Sequence, residues 1–184
     1  MNLRHILSAV TLSASLTLVP GLASATNNIV LIYNGPAIPN LQSVPNIPAF
    51  TAWCGGACGP TVELPMYDAV TGQLKGHIAV WDTAYTQVAG SLCFSEFIVF
   101  NLAEGSIYTH SPVPNGTCGA FIDPSLKAAT HVPGVVVAGG GDGVIVGGTG
   151  KYKNWTGTYT DRVFVEFSAS GNYYDQLFFS ITGK

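Results

Sequence analysis

GTYTDRVFVEF, from Gly157 to Phe167, and YYDQLFFSIT, from Tyr173 to Thr182, are the stretches that decide the fold. Both are built from β-branched and aromatic residues, and the Ser170-Gly171-Asn172 cluster separates them as a turn. Val163-Phe164-Val165 and Leu177-Phe178-Phe179 are apolar at successive positions. In an extended chain neighbouring side chains leave opposite faces, so both faces of this sheet carry large hydrophobic groups.

Working outward, the same texture recurs over Val62 to Asp68, Leu74 to Thr83, Gly90 to Leu102, Gly105 to Ser111, Gly134 to Ala138 and Gly143 to Val146. Turns fall at Thr71-Gly72, at Ala103-Glu104-Gly105 and over Gly147 to Lys151. Nothing of helical period competes, so little helix is expected. Connections this short favour antiparallel neighbours, and the spacing suits an all-β sandwich or closed barrel. A closed barrel encloses one apolar face and leaves the other, including Phe97-Ile98-Val99-Phe100 and Val144-Ile145-Val146, to be covered by another element or subunit. The expectation is a homo-oligomer.

The N-terminus carries Arg4, an apolar run from Ile6 to Val19, a Pro20-Gly21 break and then Ala23-Ser24-Ala25. This is the pattern of a secretory signal peptide over residues 1–25, cut after Ala25, and it predicts a secreted or periplasmic protein. The run is too short for a membrane-spanning helix. Residues 26–61, with Pro36, Pro39, Pro45 and Pro48, read as an irregular lead-in holding a short strand from Ile29 to Tyr33. Residues 62–184 then form one barrel domain, and the mature chain of about 160 residues is of ordinary single-domain size.

Only 9% of residues are charged, against roughly 25% in typical domains, so the surface is dressed with Thr, Ser, Asn and Gly. The net charge of −3 and the absence of Lys/Arg clusters argue against a nucleic-acid partner. Four cysteines, Cys54, Cys58, Cys93 and Cys118, imply two disulfides in an oxidising compartment. Three pairings are possible, and Cys54–Cys58 with Cys93–Cys118 is favoured because the first two share one Gly-rich loop.

Several catalytic signatures are excluded by spacing. Cys54-Gly55-Gly56-Ala57-Cys58 is C-x-x-x-C in a loop, where a redox pair needs C-x-x-C opening a helix. The glycines between Ala138 and Gly150 fail as a phosphate loop, since Ile145 and Tyr152 stand where Gly and Ser/Thr are required, and turns explain them better. His77, His110 and His131 lack ligand spacing and no G-x-S-x-G elbow occurs, so neither metal nor cofactor is expected. Asn115 and Asn154 head formal glycosylation sequons.

GVIVGGTGKYKNWTGTY, from Gly143 to Tyr159, resembles the signature of the allene oxide cyclase and dirigent superfamily, in which a strand ends in GGTG or GGSG before an aromatic and a second Gly turn. Tyr67-Asp68 with Gly72 and Gly76, AGSLCF from Ala89 to Phe94, and LAEGSIY from Leu102 to Tyr108 follow in the same order. The resemblance implies an eight-stranded antiparallel barrel, commonly trimeric, with a cavity for an apolar small molecule. On the cyclase pattern a catalytic Glu falls on Glu63 and a Cys on Cys93, while the Asn position falls on Pro65. Tyr67 shares a strand face with Glu63, and a carboxylate enclosed in an apolar cavity would have its pKa raised. If this is an enzyme, it is a cyclase or isomerase that preorganises its substrate. On the dirigent pattern only a chiral pocket is required, with Asp82, Asp161 and Arg162 as candidates. The alternative is a non-catalytic secreted structural or adhesive barrel with a filled interior.

Overall fold

The computed structural model describes residues 26–36, 46–55, 62–111, 116–122, 135–168 and 171–184. Their strands are β1 (Asn27–Pro36), β2 (Val62–Asp68), β3 (Leu74–Val88), β4 (Ser91–Leu102), β5 (Gly105–His110), β6 (Thr117–Ile122), β7 (Val135–Gly148), β8 (Gly157–Ser168) and β9 (Gly171–Gly183). A helix α1 (Pro48–Cys54) lies between β1 and β2, and a 3-10 turn (Gly150–Tyr152) lies between β7 and β8.

Every pairing is antiparallel, and the β3–β4 pair closes the sheet into an eight-stranded barrel. Eight staves arise from nine strands because β5 and β6 lie end to end between β4 and β7. β5 pairs with the Phe97–Leu102 half of β4, and β6 with Ser91–Phe94. Closure shields most strand edges, which otherwise invite association with other chains, although β1 and β2 pair only at Leu31–Asp68 and Ile32–Tyr67.

The β3–β4 hairpin turns on Ala89-Gly90, both at positive φ (49° and 85°), with Val88 opposite Ser91. Two successive left-handed residues match the twist of the flanking strands. Glycine meets that demand freely at the second position, and Ala89 adopts it at a steric cost.

Alternation sets the interior. Leu31 and Tyr33, Leu64 and Met66, Ile78, Ile98 and Phe100, Ile107, Ile145, Tyr159, Phe179 and Ile181 form one buried cluster through the barrel. Phe100 stacks edge-on against Phe179 with centroids 5.3 Å apart. Tyr152 and Trp155, 4.7 Å apart, close one end of this cluster.

Several expectations change. The strand expected from Ile29 to Tyr33 is longer, because β1 pairs with β9 from Asn27 to Pro36 and with β2 at Leu31 and Ile32. Leu31, Tyr33 and Gly35 supply its inward face, and Pro36 sits at its last paired position, where little of the ladder is lost. Pro48 starts α1, where its missing N–H costs nothing, and Gly55 ends it at φ 61°. The two strands expected at Gly134 to Ala138 and Gly143 to Val146 are, from Val135 on, one strand, β7, whose glycines stay in the ladder. The sequence reading did not place a strand at β6.

The outer apolar face near Phe97 needs no second subunit. Phe50 of α1 packs on Ala79, Trp81, Phe97 and Val99 outside the barrel, edge-on to Trp81 (5.2 Å) and Phe97 (5.1 Å). Trp53 joins this layer and its indole N–H donates to Ser95 Oγ at 2.8 Å. A different outer strip stays open: Tyr67 (37% exposed), Ile32 and Phe178 (42%) are in register across β2, β1 and β9.

Candidate functional site

The barrel interior changes character along its axis. At the end holding the β3–β4 hairpin and β6, the inward positions carry Asp82, Glu96, Thr109, Ser111, Thr117, Tyr159 and Asp161 in place of aliphatic side chains. Asp82 stands opposite Glu96 on the paired strands β3 and β4. Glu96 is 5% exposed and Asp161 fully buried. A carboxyl group inside a barrel costs stability unless satisfied or neutral, so three converging there call for a chemical reason.

Local structure shows how they are held. The Tyr159 hydroxyl donates to Glu96 Oε1 at 2.7 Å, and Ser111 Oγ accepts from the Glu96 backbone N–H at 2.8 Å. The Thr109 hydroxyl donates to the Ile98 carbonyl at 3.2 Å. The Gly141 N–H donates to Asp161 Oδ1 at 2.6 Å, and Oδ2 of the same carboxyl has no hydrogen-bond partner among the described residues.

The glycines of β7 make this arrangement possible. A Cβ on Gly143 would stand 2.2 Å from Tyr159 Cε1 and 2.5 Å from the His110 carbonyl oxygen. One on Gly141 would stand 2.5 Å from Thr117 Oγ1. Those inward positions are therefore emptied so that the Tyr159 ring and Thr117 can enter.

Electrostatics follow from the burial. Desolvation first, and the Asp82 charge second, push the Glu96 carboxyl up to about 7, against the opposing hydrogen bond of Tyr159. Desolvation and then Glu96 push Asp161 up to about 8, against the Gly141 N–H. Desolvation and the neighbouring Glu96 charge push the Tyr159 phenol far up, so it stays protonated. Asp175, further along the inward face of β9, is pushed up to about 7 by desolvation, and its Oδ1 has no hydrogen-bond partner among the described residues. Near neutral pH this end of the barrel thus holds carboxyl groups able both to donate and to accept a proton.

The sequence-predicted residues lie elsewhere. Leu64 and Met66 are the inward residues of β2, which puts Glu63, Pro65 and Tyr67 on the outer face, away from the enclosed space. Cys93 faces outward and forms a disulfide with Cys118, directly opposite on β6 with Cα atoms 4.1 Å apart. With its sulfur in that bridge it offers no thiol to a ligand. Cys58 lies outside the described residues, and so does the expected Cys54–Cys58 pair. Asp82 and Asp161 do lie inside, each beside Glu96, whereas Arg162 is exposed, 3.8 Å from Asp142. Glu96 was not singled out, although a carboxylate amid Phe94, Phe97 and Ile98 is the kind of interruption that marks a site.

A second feature lies at the opposite end. A cavity of about 410 Å³ is bounded by Asn27, Asn28 and Ile29 of β1, the β2–β3 and β4–β5 turns, and Lys151, Tyr152 and Trp155. Among the described residues no group of three His, Cys, Asp or Glu could hold a metal ion, and no helix is long and apolar enough to cross a membrane. Comparison of the chain with protein-family models and with characterised proteins finds no match.

Proposed function

We propose that this protein is an exported barrel of the allene oxide cyclase and dirigent kind that binds an apolar, oxygen-bearing small molecule at its acidic end, as a cyclase or isomerase. The observation that carries the reading is the Glu96–Tyr159–Asp161 constellation inside the barrel, with Asp82 opposite Glu96. A neutral carboxyl in an apolar surround can protonate an epoxide, carbonyl or ether oxygen, and its ionised neighbour can take a proton back. Tyr159 orients Glu96, and the enclosing walls hold the reacting chain folded. The Cys93–Cys118 disulfide suits export.

The test is native mass spectrometry of the mature protein mixed with oxygenated fatty acids and their epoxides, followed by product analysis. The expected result is one ligand per barrel, with Glu96→Gln retaining binding and losing turnover ~100-fold, the usual scale of general acid–base catalysis. A barrel that takes up none of these compounds contradicts the reading.

A second reading has its own support. The middle of the barrel is filled by Leu31, Met66, Ile98, Phe100 and Phe179, which favours a non-catalytic structural or adhesive protein. Self-association as a trimer is proposed through the Tyr67–Ile32–Phe178 strip, where aromatic groups face solvent in register. Native masses of wild type and Phe178→Lys decide that point.

A further inference from the structure

The motif Gly147-Gly148-Thr149-Gly150-Lys151-Tyr152 takes no part in the acidic end; its Lys151 and Tyr152 line the cavity at the other mouth. Gly150, at φ 54°, lets the 3-10 turn press against the β4–β5 turn, where a Cβ would stand 2.3 Å from the Glu104 carbonyl oxygen. The Lys151 N–H donates to that same carbonyl at 2.9 Å, and the Ser106 N–H donates to Thr149 Oγ1 at 2.9 Å. Two segments far apart in sequence are thereby locked into one rigid rim.

The chemistry of that rim is specific. Lys151 Nζ donates to both oxygens of Glu104, at 3.0 and 2.9 Å, and Lys75 lies 3.6 Å from Asp68. Two cations are thus matched by two carboxylates, and the mouth carries no excess charge to attract an ion. Asn27 and Asn28 add amides beside them. Below lie Ile29, Leu102, Tyr152 and Trp155, the two aromatic rings set edge to face with an interplanar angle of 82°.

A cavity of about 410 Å³ falls in the usual range for small-molecule sites, roughly 300–1,000 Å³. Its combination of aromatic and aliphatic floor with charge-balanced, fork-shaped polar groups matches a ligand that is apolar on one face and ringed by hydroxyls. We propose that this mouth is a saccharide site that takes a neutral pyranose. The C–H face of the sugar lies on the Trp155 and Tyr152 side, and its hydroxyls bridge the Lys151–Glu104 and Lys75–Asp68 pairs. Hydroxyls both donate and accept, so one ring can bond to a carboxylate and an ammonium together without disturbing their balance. The site is separate from the acidic end and does not depend on its chemistry.

The experiment is an amide and indole NMR titration of the mature chain with cellobiose, chitobiose and methyl α-mannopyranoside, with phosphocholine as a zwitterionic comparison. Saturable shifts are expected for at least one sugar at the Trp155 indole N–H and at the Asn28, Glu104 and Lys151 amides, with Kd in the ~0.1–10 mM range typical of one small polar ligand. Glu104→Gln and Lys151→Gln, both surface changes, should each weaken binding at least ~5-fold while leaving the rest of the spectrum in place. Absence of saturable shifts with all three sugars overturns the proposal. So does saturation by phosphocholine alone, which would assign the mouth to a zwitterion, or shifts that persist unchanged in both variants.

Discussion

Replacing Glu96 by Gln isolates the cost of keeping an acid inside the barrel. The folded-state pKa is raised, to about 7 from 4.5. The stabilising effect of this proton is therefore complete below the unfolded-state value, and it is lost as pH rises through the folded-state value. From about pH 5 the unfolded chain has largely given up the proton while the folded chain holds it until about pH 7, and by about pH 8 both have lost it. At 1.36 kcal/mol per unit, Glu96 alone should make the protein about 2 kcal/mol less stable at the higher pH. The amide of Gln still accepts the Tyr159 hydrogen bond at Oε1 and has no proton to lose.

Removing the charge at position 96 also relieves Asp161, whose carboxyl is pushed up by burial and by the Glu96 charge beside it. Urea unfolding at both pH values should show wild type losing stability with rising pH and Glu96→Gln losing at least ~2 kcal/mol less over the same interval. The slope is the readout, so any fixed cost of fitting the amide cancels. An unchanged pH slope in the variant, or a wild type that gains stability towards pH 8, refutes the reasoning.

Gly143→Ala drives a methyl into the Tyr159 ring and the His110 carbonyl, and thermal unfolding should register a loss of about 1–3 kcal/mol. Removing the Cys93–Cys118 bridge by a double change to Ser should cost about 3 kcal/mol in urea, since it frees a loop with a sequence separation of 25. Ala89→Gly relaxes a left-handed residue in the β3–β4 turn and should raise stability by up to ~1 kcal/mol, read as a higher urea midpoint with an unchanged slope. Phe178→Lys should lower the native mass to that of the monomer if the outer strip joins subunits.

Much of the barrel was legible because its strands are long and rich in β-branched and aromatic residues. Val62–Asp68 matches its predicted bounds, and the runs at Gly157 and Tyr173 give β8 and β9. β1 is longer than its sequence pattern suggests because the prolines from Pro36 to Pro48 argue against regular ladder bonding, yet Pro36 sits at the strand's last position. β6 is short, carries Gly119 in its centre, and gains its definition from Cys118 meeting Cys93, a tertiary fact. α1 escaped because seven residues hold too little period to read, and Phe50 acquires its role only by landing on Trp81 and Phe97.

For the site, facing was the deciding quantity. On β2 the aliphatic pair Leu64 and Met66 points inward, as alternation with Glu63 would suggest on its own, whereas the family pattern drew attention to Glu63 and Tyr67. Asp82 and Asp161 were named without a partner. Their meeting with Glu96 depends on how strands distant in sequence line up around the barrel, and no local spacing encodes that.

The central claim is that protonated carboxyl groups persist inside the barrel near neutral pH. Carbon-13 NMR of the Glu Cδ and Asp Cγ resonances, followed from acid to alkaline pH, tests it most directly. Three carboxyl signals, those of Glu96, Asp161 and Asp175, should stay protonated past about pH 6, and the first two should vanish in Glu96→Gln and Asp161→Asn respectively. If every carboxyl in the protein is ionised by about pH 5, the acidic end is an ordinary solvated cluster and the account fails.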